Sequence, residues 1–167
     1  MIGFQDETWE SLYPRIEAEW MKKGEQKRVL TPKKSKRRNT FITLLWPERK
    51  NGLFFNTYPK RRSKEFRHHL SNVLAHAKRL GAKKIILFVD HATCHKSPAT
   101  KRFIRDHKSI LKVKLLAKRA PRLNPVEGDV NRPLKSVVCT NRSHPDIESV
   151  VEETRLFLRK YRQTLGT

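Results

Sequence analysis

Residues 83–97 read KKIILFVDHATCHKS: an unbroken apolar run from Ile85 to Val89 that stops on a carboxylate, Asp90, and is followed by two histidines, His91 and His95. A short continuous run rich in β-branched and aromatic residues is the pattern of a strand buried on both faces of a parallel sheet. Parallel strands need crossover helices, and both flanks supply one. Upstream, Phe66, Leu70, Val73, Leu74 and Ala77 repeat at helical spacing, with Ser63 as the expected cap and Gly81 as the stop. Downstream, Ser97–Pro98 pairs an N-cap with a first-position proline for a helix reaching about His107.

Further from this centre, ILKVKLLA (110–117) alternates as a strand should, and TFITLLW (40–46) and GLFFNTY (52–58) form a β-hairpin across PERKN. The opening MIGFQDE is expected to be a short strand that Asp6 ends, while WESLYPRIEAEW, broken by Pro14, is expected to be irregular. Asn124–Pro125 repeats the cap-plus-proline signal, and an amphipathic helix runs from about Pro145 to Tyr161. The order is strand, hairpin, helix, strand, helix, strand, helix, helix. It predicts one α/β domain over residues 1–167, with a mixed five-stranded sheet flanked by helices.

The charge balance narrows the partner. Lys plus Arg number 38 against 16 Asp plus Glu, a formal net charge of +22 in 167 residues, which makes a polyanion such as nucleic acid the expected partner. A membrane is disfavoured, because the longest aliphatic run is too short to span and no segment sets a basic face against a wide apolar one. The first ten residues carry acids where a signal peptide needs bases, and two unpaired cysteines, Cys94 and Cys139, suit a reducing compartment. A cytoplasmic, nucleoid-associated protein is the expectation. From Lys22 to Arg38 the chain holds nine Lys or Arg and one acid, the composition of a loop or arm. Candidates for phosphate contact are Lys33, Lys34, Lys36, Arg37, Arg38, Lys60, Arg61, Arg62, Arg119 and Arg122.

Three acids stand where ligands gather. Strand carboxyl ends are where open α/β sheets bind ligands; Asp90 and Asp6 both hold such places, and Glu127 falls in the first turn after Asn124–Pro125. Brought together, three carboxylates repel one another unless a cation neutralises them, and oxygen-only ligands select hard ions such as Mg²⁺ or Mn²⁺. Two such ions can hold the attacking and leaving oxygens of a phosphodiester in line.

FQDET (4–8), VDHATCHKS (89–97) and PRLNPVE (121–127), in that order, resemble the three catalytic blocks of DDE transposases in the insertion-sequence branch of the mariner superfamily, and the thirty-six residues between Asp90 and Glu127 fit the last interval. The resemblance implies a ribonuclease-H-like fold with a two-metal Mg²⁺ or Mn²⁺ site. It implies an endonuclease that cuts DNA at transposon ends and joins the freed 3′ hydroxyl to target DNA, commonly at TA, in transposition, recombination and integration. By position, Asp6, Asp90 and Glu127 are then the catalytic, metal-binding triad, with Glu7, His95 and Asn124 supporting it. A homodimer on DNA is implied too. The usual N-terminal helix-turn-helix DNA-binding region does not precede Asp6, so a fragment, a separately encoded DNA-binding half or an inactive copy are the alternatives. The chain departs from the pattern at His91 for Asn, at Arg119 and Ala120 for Tyr-Ser, and at Val130 for Trp. Pro133 predicts a kink or restart, since proline costs about 3 kcal/mol in a regular helix interior.

Other readings use the same residues. His91, Cys94 and His95, with Cys139 or His144, lack the paired spacing of a zinc site, and Cys94 reads better as a small buried side chain. His68 and His69 read as a basic helix face, and Asp129 as solvent-exposed. A hydrolytic ribonuclease-H-like nuclease, or an inactive basic nucleic-acid-binding relic, would keep the charge without strand transfer.

Overall fold

The computed structural model describes residues 1–31, 38–118 and 120–165. The calls on Lys33, Lys34, Lys36, Arg37 and Arg119 therefore lie outside the described residues, as does the Arg38 side chain. Five strands form one mixed sheet: β1 (Ile2–Ser11), β2 (Arg38–Leu45), β3 (Leu53–Tyr58), β4 (Ile85–Val89) and β5 (Leu111–Leu115), in the order β3-β2-β1-β4-β5. β1 pairs antiparallel with β2 and β2 with β3, whereas β1 with β4 and β4 with β5 are parallel. The expected hairpin is present, and so is the apolar strand Ile85–Val89, flanked by β1 and β5.

The helices follow local signals, with two corrections. α1 (Ser63–Arg79) is capped by the extended backbone of Arg62 rather than by a Ser63 side chain, and Ser63 is its first residue. Its far end closes as expected: Gly81, at φ 76, and Ala82 donate back to Lys78 and Ala77 carbonyls, a turn that only a left-handed residue allows cheaply. A single turn, α2 (Thr93–Lys96), precedes α3 (Pro98–Asp106), where Ser97 Oγ accepts the Thr100 N–H and Pro98 opens the helix. α5 (Ile147–Thr164) is capped by Asp146 and buries Ile147, Val150, Val151, Thr154 and Leu158.

The stretch after Glu127 restarts at Pro133 by changing register: a π-turn over Val126–Asn131, a short α4 (Arg132–Leu134) with Pro133 in its first positions, and a second π-turn over Lys135–Cys139. Proline lacks an N–H and crowds the carbonyl four residues back, and a wider turn stands on either side of it. The apolar row Val126, Val130, Leu134 and Val138 stays buried throughout and packs with Phe41, Leu45, Leu53 and α5 on one face of the sheet. On the other face, Leu44, Trp46, Ile85, Leu87 and Val89 pack with Phe66, Leu70, Val73 and Ala77 of α1. Cys94 is buried in that second core, as expected.

β1 is longer than expected. Asp6 does not end it: Thr8 to Ser11 remain paired with β2, because an antiparallel neighbour carries the strand on after the parallel neighbour β4 has stopped. His69 is a second correction, since it is fully buried and not part of a basic face; its Nδ1 bonds Asn56 Oδ1 at 2.8 Å, and burial pushes its pKa down to about 3. His68 and Asp129 are exposed, as expected.

Candidate active site

The site begins with register. β1 and β4 pair Ile2 with Ile86 and Phe4 with Phe88, so the same register carried two residues further sets Asp6 beside Asp90. At that point β4 ends and its carboxyl edge opens. On the opposite side Asn124 bonds the helix start to β1: its Nδ2 donates to Gln5 O at 3.1 Å, and its Oδ1 accepts the Val126 N–H at 3.3 Å. Glu127 is thereby held in the first π-turn over the same edge. Asp6, Asp90, Asn124 and Glu127 line one cavity of about 530 Å³, together with His91, Leu116, Ala117, Lys118 and Ala120.

The carboxylates are in unlike environments. Asp6 is pushed up to about 7, mainly by burial and further by the charges of Glu127, Glu7 and Asp90, despite the Glu7 N–H that Oδ1 accepts at 2.9 Å. Asp90 is pulled down to about 2, chiefly by its hydrogen bond to His95. One acid of the cluster is thus kept ionised while its neighbour resists ionisation.

His95 is the main cause of the lowered Asp90 value. Its Nε2 lies 2.7 Å from Glu7 Oε1, and its Nδ1 lies 2.9 Å from Asp90 Oδ1 and 3.1 Å from Asp90 O. Acceptors face both ring nitrogens, so both must donate and the ring is an imidazolium. Burial opposes this charge, but the bonds to Asp90, Cys94 and Glu7 outweigh it and push His95 up to about 12. Both the His95 and Glu7 side chains are 1% exposed. Gln5 Nε2 also donates to Glu7 Oε1 at 2.9 Å, and Arg61 Nε lies 3.5 Å from Glu7 Oε2 with its guanidinium over the Trp9 ring. The chain thus holds a row of acid, base and acid, with Glu7 and His95 buried and the half-exposed Asp90 at the cavity.

The zinc alternative is not assembled. Glu7, Cys94 and His95 offer ligand atoms within 4.8 Å of one another, but both His95 nitrogens are committed to carboxylates. His91 Nε2 turns instead to Leu116 O at 2.8 Å, Cys139 Sγ donates to Glu10 Oε2 at 2.7 Å, and His144 Nε2 donates to Val138 O. The cavity, by contrast, offers carboxylate oxygens from three separate elements, a donor set for hard divalent ions.

Of the expected phosphate contacts, Lys60, Arg61, Arg62 and Arg122 are exposed. Arg61 is partly engaged by Glu7, so it is not simply a solvated charge. Asn131 went unnoticed in the sequence, although it donates to both Asp6 Oδ2 and Glu127 Oε2. Its only sequence signal is its place one turn beyond Glu127 on the same helix face.

Residues 1–151 match the sequence profile of the family described as DDE superfamily endonuclease. No curated protein matches the chain. Among solved structures, the mariner Mos1 paired-end complex with Mg aligns with a TM-score of 0.74 at 14% identity, over 98% of this chain and 50% of that one. The catalytic domain of Mos1 mariner transposase aligns with a TM-score of 0.64 at 12% identity, over 98% of this chain and 74% of that one. A simian T-cell lymphotropic virus intasome chain aligns with a TM-score of 0.57 at 11% identity, over 98% and 47%. These likenesses establish a ribonuclease-H-like fold; the chain spans about half the length of the Mos1 chains in their paired-end complexes. Among the described residues no helix is long and apolar enough to cross a membrane.

Proposed function

The chain belongs to the DDE superfamily endonuclease family, and on that premise we propose that it is the catalytic domain of a transposase, cutting DNA at transposon ends and transferring the freed 3′ hydroxyl to target DNA. The observation that carries this reading is the meeting of three carboxylates from β1, the end of β4 and the first π-turn in one cavity. Asp6, Asp90 and Glu127 are the residues that would hold a pair of Mg²⁺ or Mn²⁺ ions. The fit is chemical: the donors are all oxygens, and the crowding that drives Asp6 up to about 7 is what a cation relieves. Bound there, such ions supply Lewis-acid activation of a phosphodiester and a clamp on its attacking and leaving oxygens.

The remaining work falls to the chain's own groups. His95 and the Ala92 N–H both engage Asp90 Oδ1, at 2.9 and 2.8 Å, and hold that carboxylate ionised in one orientation. Asn124 ties the helix carrying Glu127 to the strand carrying Asp6. Lys118 in the cavity wall, with the exposed Lys60, Arg62 and Arg122, attracts the phosphate backbone. Mos1 crystallises as a paired-end complex with Mg and with Mn; by analogy the active unit here is a homodimer on DNA, with TA as target and a further DNA-binding half supplying end recognition. A nucleoid-associated location follows from that substrate and from the +22 charge.

The deciding experiment is Mg²⁺- or Mn²⁺-dependent nicking of a duplex carrying the element's ends, with pre-cut ends added in a second arm to detect joining. Asp90→Asn removes one ligand charge with little change of shape, so fold and DNA affinity should persist while cleavage falls by orders of magnitude, each tenfold being about 1.4 kcal/mol of barrier. Equal cleavage by wild type and variant would refute the site. Nicking without joined products would favour a hydrolytic nuclease.

A further inference from the structure

The π-turn that holds Glu127 ends on Asn131, a wholly buried side chain. Its Nδ2 donates to Asp6 Oδ2 at 2.9 Å and to Glu127 Oε2 at 3.2 Å, so one amide group spends both of its protons on two carboxylates brought from distant parts of the chain. The orientation is dictated by chemistry. Both facing atoms are carboxylate oxygens, and only the NH₂ end of an amide can meet two acceptors.

The other end of the amide shows what this arrangement costs. Asn131 Oδ1 is buried and has no hydrogen-bond partner among the described residues. A leucine of similar size at this buried position would carry no polar atom to desolvate, so packing alone gives no reason for an amide here. The helix geometry is also bent to the purpose. Arg132 N–H reaches back five residues to Glu127 O, the widened register that sets Asn131 one turn beyond Glu127, and such π-turns recur at functional sites.

We infer that Asn131 is a positioning residue that clamps Asp6 and Glu127 to one another and fixes which of their oxygens face the cavity. This rests on the reading that these carboxylates hold divalent cations. Each acid is then gripped on one oxygen by Asn131, while Asp6 Oδ1 accepts the Glu7 N–H and Glu127 Oε1 faces Lys135 Nζ at 3.8 Å. Partners of this kind, one step removed from an ion, change metal affinity or activity by about 10- to 100-fold when lost.

The test compares wild type, Asp90→Asn, Asn131→Leu and Asn131→Ala in two measurements on the full chain: Mn²⁺ binding, from the loss of the free-ion electron paramagnetic resonance signal, and thermal unfolding in EDTA. Asn131→Leu removes the buried orphan carbonyl but also the donor to two carboxylates, so it should lower the unfolding temperature by only a few degrees, and its Mn²⁺ Kd should weaken by roughly 10- to 100-fold. A purely structural residue would give a lowered unfolding temperature with unchanged Mn²⁺ binding, and that result overturns the inference. Should the leucine variant fail to fold, Asn131→Ala carries the Mn²⁺ comparison with the same expected loss of affinity and a larger fall in unfolding temperature. If Asp90→Asn loses Mn²⁺ and the folded Asn131 variants keep it, Asn131 is dismissed and the metal site stands. If Asp90→Asn binds Mn²⁺ as wild type does, the metal reading itself is wrong and the inference falls with it.

Discussion

Replacing His95 by glutamine would expose how much of the fold depends on the buried His95–Glu7 pair beside the cavity. The His95 and Glu7 side chains are each 1% exposed and meet at 2.7 Å, so removing the imidazolium leaves a carboxylate inside the protein with Arg61, 3.5 Å away and one-third exposed, as its remaining cation. Breaking a buried pair from one side costs about 3–5 kcal/mol. Arg61 offsets part of that, so the lower figure applies: about 3 kcal/mol, out of a total stability on the order of 5–15 kcal/mol. For a domain of this size that is a fall in Tm of roughly 6–12 °C. The assay is thermal unfolding at pH 7 followed by circular dichroism, with Glu7→Gln and the double variant completing a cycle. The double variant leaves no uncompensated charge and should be less destabilised than the two single losses added together. Proton linkage gives an independent check. The His95 value is raised from 6.5 to about 12 in the folded state, so its contribution is complete below about pH 6.5 and declines as pH climbs toward 12; the glutamine variant should lack that decline. An unfolding temperature within about 2 °C of wild type, or strictly additive single variants, would refute the reasoning.

Three further outcomes follow from other parts of the molecule. Asp6 has its folded value raised from 3.8 to about 7, so it holds its proton longer in the native state than in the unfolded chain; in EDTA its stabilising contribution should be present at low pH and lost as pH rises through 7, and Asp6→Asn should flatten that fall in a melting series from pH 5 to 8. Gly3→Ala should cost about 1–3 kcal/mol in chemical denaturation, because a Cβ at Gly3 would meet the Trp46 ring at 2.5 Å inside the second core; unchanged stability would mean the ring has room to move. Binding to duplex DNA of arbitrary sequence should weaken steeply with salt, with a log-log slope of about −0.9 per neutralised phosphate in a fluorescence titration, and a shallow slope would remove the polyanion argument from charge.

What could be read from the sequence alone was what depends on near neighbours in the chain. The IILFV run, the Ser97–Pro98 start of α3 and the Gly81 close of α1 each carry their cause within a few residues, and each is found where that cause predicts. Asp90 and Glu127 stand at a strand end and a helix start, which are local signals, whereas the strand holding Asp6 runs on to Ser11 and its place beside Asp90 comes from the pairing of β1 with β4. The extension of β1 through Thr8–Ser11 was not legible, because its cause is β2, whose pairing residues lie at Arg38 to Phe41. His69 looked like half of a basic pair, and only Asn56 on β3, thirteen residues earlier, makes it an interior residue. Asn131 was hidden by Pro133, whose local message is to stop the helix; the packing of Val130, Leu134 and Val138 against α5 overrides it.

The central place of β1 governs how the molecule can be made. Its residues are the first of the described chain to emerge during synthesis, yet one flank must wait for β4 and the other for β2, and the Gln5 and Asp6 bonds to Asn124 and Asn131 span 119 and 125 positions. Closing loops of that length is what makes non-local topologies slow to fold. A nascent chain halted before Asn124 would hold a sheet whose middle strand has one face bare of Val126, Val130 and α5, a sticky and protease-sensitive intermediate. The acid cluster is therefore complete only once Glu127 has joined Asp6 and Asp90, and on the proposed function a polypeptide cut short before that point would keep much of its positive charge without the full set of carboxylates.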